Sequence, residues 1–159
     1  MSAAKHDINA EQGSTFKLYV EYQTAGATAV DLHEYDANMN VRRFASSSKL
    51  LLDLSGSTAG RGITSGGVTG EYSKSDSYRG VATGGVKGAG GVWLNAHING
   101  STGGTAGTTG GIYIDIPSSI MRNVADGNHF YDLELIYGPT GDVTRILEGR
   151  FVVNSEVTK

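Results

Sequence analysis

A chain of 159 residues holds one domain with a real core and is too short for two of ordinary size. Its net charge of −3, with no basic stripe, speaks against nucleic acid as a partner, and the absence of cysteine excludes disulfides and thiolate metal sites. No run of about 18 apolar residues and no apolar leader stretch occurs, so the expectation is a chain made and folded in a cytoplasm that does not cross a membrane.

Residues 1–7 are polar and read as a loose arm. Phe16, Leu18, Val20 and Tyr22 alternate with Lys17, Tyr19 and Glu21, which predicts a half-buried first strand. Thr24–Thr28 ends it, and Val30-Asp31-Leu32 leads to a second strand with Ala37, Met39 and Val41 inward and Asn38, Asn40 and Arg42 outward. Ser46–Ser48 is a turn. The run Lys49–Leu54 is a short strand buried on both faces, each leucine contributing roughly 1.5–3 kcal/mol on burial.

From Ser55 to Gly111 the composition changes, and eighteen of the 24 glycines fall there. A structureless stretch of this length is unusual inside a compact domain. A flexible linker is the simple reading, but Val92, Leu94, Ala96 and Ile98 alternate with Trp93, Asn95 and His97. A strand at Val92–Ile98 is therefore expected. Ordering a glycine-rich segment costs roughly 1–2 kcal/mol per residue, so it needs to dock on the domain or on a neighbour. We take residues 64–111 as an insertion in a single 1–159 domain, with Gly66–Gly110 an assembly element ordered by neighbouring chains. Its expected contacts are Tyr72, Tyr78, Val92, Trp93, Leu94 and Ile98.

Ile112, Ile114 and Ile116 line one face of the next strand. Pro117 and Ser118 start a helical turn through Ile120, Met121 and Val124, stopped by Gly127. Two long strands follow, joined by the turn chemistry of Gly138-Pro139-Thr140-Gly141-Asp142. Tyr131, Leu133 and Leu135 face one way and Asp132 and Glu134 the other. On the return strand the alternation fails between Arg145 and Gly149, which predicts a bulge near Glu148-Gly149.

Tyr131–Leu135, Val143–Gly149 and Val153–Thr158, with Ile8–Phe16 at the start and a weaker block at Tyr35–Arg42, resemble small structural proteins of tailed bacteriophages. These are similar to the N-terminal domain of upper-baseplate and fibre-attachment proteins. The resemblance covers both ends of the chain and leaves the middle unmatched. It implies an all-β, antiparallel immunoglobulin-like β-sandwich of about seven strands, from which this chain departs by its long glycine-rich insertion. It also implies a virion location, after assembly in the bacterial host cytoplasm.

No constellation for chemistry emerges. His6, His33, His97 and His129 are scattered, and His129 reads as a surface or edge residue. Asp31, Glu34 and Asp36 lack the loop spacing of a calcium site. Asp132 and Glu134 imitate a glycosidase pair but fit the outer face of a strand, with Arg145 or Arg150 opposite. No phosphate loop or nucleophile elbow occurs. The expectation is a non-enzymatic virion component at the tail, baseplate or fibre attachment. It takes no cofactor or metal, and its partners are other virion proteins and copies of itself, not nucleic acid or membrane. The alternatives are a capsid-decorating protein and a carbohydrate-binding module using Trp93, Tyr72 and Tyr78.

Overall fold

The computed structural model describes residues 3–23, 26, 28–32, 34–46, 49–57, 62–63, 72–73, 82–83, 91–94, 110–122 and 124–157, some strand residues by backbone alone. In chain order the strands are β1 (Ala4–Lys5), β2 (Ile8–Glu11), β3 (Phe16–Glu21), β4 (Tyr35–Arg42), β5 (Lys49–Leu50), β6 (Leu52–Ser57), β7 (Gly62–Ile63), β8 (Tyr72–Ser73), β9 (Ala82–Thr83), β10 (Gly91–Leu94) and β11 (Gly111–Ile116). A single helical turn, α1 (Ser118–Met121), then leads into β12 (Gly127–Tyr137) and β13 (Asp142–Asn154).

The larger sheet runs β1–β13–β12–β4–β6–β7–β9, with β2 also on β13; a three-stranded sheet runs β10–β11–β3, and β5 pairs with β8. Among the described residues only β1 and β2 run parallel to their neighbour, and the other pairs are antiparallel. This is an all-β, immunoglobulin-like sandwich. The β13–β12–β4–β6 order corresponds to strands G, F, C and C′ of the variable type, and β10–β11–β3 to D, E and B.

The core follows the predicted alternation. Ala37, Met39 and Val41 of β4 and Tyr131, Leu133 and Leu135 of β12 are buried, as are Leu51, Leu52, Asp53 and Leu54 on both faces of β6 and its approach. Ile112, Ile114 and Ile116 of β11 complete the opposite layer, and α1 with the bend after it closes one end by burying Met121 and Val124. We expect Leu133→Ala to cost roughly 2–5 kcal/mol in urea denaturation because it empties a core position. Glu134→Ala, on the other face of the same strand, should stay within about 0.5 kcal/mol. Equal losses would contradict the burial pattern of β12.

Four expectations are corrected. The polar N-terminus is not a loose arm: Ala4 and Lys5 pair with Leu147 and Glu148, and Ile8–Glu11 with Phe151–Asn154. The bulge is not at Glu148-Gly149. Leu133 faces Leu147 while Glu134 faces Arg145, so Ile146 is the extra residue. Gly149 serves another purpose: a Cβ there would collide with the His6 carbonyl oxygen and lie 2.8 Å from its carbon. The glycine lets the N-terminal segment press against β13 at His6, between the two short strands that pair along the same edge of β13.

His129 is the third correction, since it is 2% exposed. It shares the inward parity of Tyr131, and its Nε2 lies 2.7 Å from the Ala125 carbonyl oxygen, a partner that offsets the cost of burying the ring's polar edge. The fourth concerns Gly66–Gly110. Its strand β10 pairs with β11 from Gly91↔Asp115 to Leu94↔Ile112, and Val92 and Leu94 are fully buried in the core with Leu52 and Leu54. The surface that orders this stretch of the insertion belongs to the chain itself.

Candidate functional site

Even-numbered residues of β12 and β4 point away from the core, and the pairing register sets them in rows across the larger sheet. Arg42, Phe130 and Arg150 form one row. Asn40, Asp132 and Glu148 form the next, and Asn38, Glu134 and Arg145 the third. The first two rows, with Arg145 of the third and Lys5 of β1, line an open concavity of about 340 Å³.

Arg145 reaches this face because of the bulge. Its odd number would otherwise give it the inward parity of Leu147 and Phe151; the extra residue, Ile146, reverses the phase and re-aims the side chain outward. There Nε lies 3.3 Å from Asp132 Oδ2, Nη2 3.4 Å from Glu134 Oε1 and Nη1 3.7 Å from Glu148 Oε2. Lys5 donates to Glu148 from the side of β1. Such exposed pairs add little to stability in water, so the network orients side chains more than it stabilises the fold.

The surroundings shift the two carboxyls of the middle row in opposite directions. Partial burial and the neighbouring Glu134 charge raise Asp132 above the ordinary carboxylate range, against the pull of Arg145 and Arg42. The hydrogen bond from Lys5, helped by Arg145, holds Glu148 below it. Beneath them the Tyr131 phenol is raised by burial and by Asp7, and donates to the His6 carbonyl at 2.7 Å. Removing the guanidinium in Arg145→Met should therefore move Asp132 further up, read by carboxyl-carbon NMR titration. An unchanged or lower Asp132 would refute the coupling.

Asp132 and Glu134 thus occupy the outer strand face that the alternation predicts, with Arg145 bridging both. Phe130, 41% exposed, stands between Arg42 and Arg150 at the rim. The row was missed in the sequence, although an aromatic residue at an outward position of an otherwise polar strand face was a signal for it.

The expected contact residues are not brought together here. Val92 and Leu94 are core residues, which corrects their reading as assembly contacts: their surface is already covered by the opposite sheet. Trp93 pairs with Tyr113 and Tyr72 with Leu50 through the backbone, and their side chains lie outside the described part. Tyr78 and Ile98 lie outside the described residues. Among the described residues no group of three or more His, Asp or Glu is placed to hold a metal ion.

No protein-family model and no curated protein matches the chain. Among solved structures it is similar to the natural killer cell receptor NKp44, described as a triggering partner in natural cytotoxicity. The identity is 10% and the TM-score 0.37, over 98% of this chain and all of that one. A structure of voltage-gated sodium channel beta subunits, from a study of their cell-adhesive interactions, aligns at 12% identity and TM-score 0.36, over 99% and 98% of the two chains. Likenesses this distant carry no argument about what this chain does.

Proposed function

We propose that the protein is a non-enzymatic structural component of a phage virion, at the tail, baseplate or fibre attachment, working through protein–protein assembly contacts. The observation that carries this reading is where the terminal sequence blocks meet. Ile8–Glu11 and Phe151–Asn154, about 140 residues apart, pair strand to strand, and the Tyr131–Leu135 block pairs with residues 144–149 earlier on the same strand, β13. The residues that resemble phage structural proteins thus form one continuous joint of the fold. Beside that joint lies the row of Arg42, Phe130 and Arg150, an exposed aromatic with cationic neighbours of the kind that anchors interfaces.

Gradient-purified particles from a producing host should contain the chain in fixed stoichiometry. Phe130→Glu should lower its incorporation by about tenfold or more while the isolated domain remains folded. Finding the chain only in the free fraction of the lysate would defeat the proposal. Glycan binding by that free chain would instead favour the carbohydrate-binding alternative.

A further inference from the structure

The N-terminal strands pair with β13 and, among the described residues, not with the opposite sheet. Among the described residues β3 pairs with β11 on one side only. Its register with β11 continues to Tyr22, whose N–H donates to the Gly110 carbonyl at 2.8 Å. Even-numbered residues of this strand therefore turn their backbone groups toward β11, and Lys17 and Glu21 turn theirs toward the open edge.

Lys17 and Glu21 are exposed and oppositely charged, and among the described residues neither forms an ion pair. Glu21 accepts hydrogen bonds from Tyr19 Oη at 3.1 Å and Gln23 Nε2 at 3.0 Å. Four residues apart on one strand, Lys17 and Glu21 are about 13 Å from each other, beyond contact. A two-fold axis at Tyr19 removes that separation. It sets Lys17 of each copy opposite Glu21 of the other, in the one antiparallel register that joins both outward-facing pairs.

We propose that the protein self-associates through the edge of β3, copy to copy and antiparallel about Tyr19, merging two three-stranded sheets into one of six strands. Isolated edge lysines normally discourage such pairing. Here the lysine meets a carboxylate in the partner, so the edge is self-complementary. The inference rests on the proposed assembly role only in giving self-contact a location. Its test uses the isolated chain, so its failure would leave particle incorporation to be judged separately.

Sedimentation equilibrium up to about 100 μM should show a monomer–dimer equilibrium. Lys17→Glu and Glu21→Lys each replace two attractive cross-strand pairs with two repulsive ones and should weaken the dimer by about tenfold or more. The double variant Lys17→Glu/Glu21→Lys restores both pairs in reversed sense and should recover the dimer. Circular dichroism of each variant checks the fold. A monomeric wild type, single reversals without effect, or a double variant as weak as the singles would each overturn the proposal.

Discussion

Phe151→Ala should be the most damaging single substitution in the larger sheet, at about 3–5 kcal/mol. Phe151 is fully buried on β13, and its ring meets two others edge-on: Phe16 at 5.7 Å and Tyr131 at 6.3 Å between centroids. Phe16 belongs to β3 of the opposite sheet, so this aromatic cluster ties the two layers as well as filling space. Against a total stability of about 5–15 kcal/mol for a domain, the loss should lower the melting temperature by about 10 °C. Phe16→Ala, at a half-exposed position, should cost less. Equal losses would place the main inter-sheet contact somewhere other than Phe151.

Gly149→Ala should cost roughly 2–4 kcal/mol, far more than a methyl group usually does. The added carbon meets the backbone of His6, which cannot swing aside as a side chain would. Moving that segment breaks a linked set of bonds: His6 N–H to the Glu148 carbonyl at 2.9 Å, Arg150 N–H to Asp7 Oδ1 at 3.0 Å, and Tyr131 Oη–H to the His6 carbonyl. Hydrogen exchange should quicken at His6 and Arg150 while the β12–β4 ladder stays protected. Wild-type stability in this variant would show that the segment at His6 can relax cheaply.

These two positions also mark where sequence reading succeeds and where it stops. Alternation alone placed Met39, Val41, Leu133 and Leu135 inside, because a strand with one wet face has to write its burial in every second residue. The expected strand Lys49–Leu54 is divided between β5 and β6, but burial on both faces at residues 51–54 was legible from an apolar run, and the turn after Pro117 from its proline. The N-terminal pairing with β13 was not. Residues 3–7 carry no apolar alternation, and the signal for their ordering is a glycine more than 140 positions away. The same glycine drew the expected bulge to itself, while the true extra residue, Ile146, has an ordinary side chain. At β10 the alternation of Val92 and Leu94 was read correctly as burial, but composition argued for an outside partner where β11 supplies the pairing. The concavity combines these difficulties, since Arg145 joins Asp132 only through the bulge and Lys5 joins Glu148 only through the pairing of β1 with β13.

The parallel pairing of β1 and β2 with β13 has a mechanical consequence. A pull that separates Ala4 from Asn154 along the strands slides the first strands past the last one, so the ladder from Lys5↔Glu148 to Glu11↔Asn154 is loaded in shear. Its hydrogen bonds lie across the direction of force and share the load, whereas an antiparallel hairpin opened from one end yields one bond at a time. Tension that enters at one end of the chain and leaves at the other therefore meets the domain along its most resistant direction.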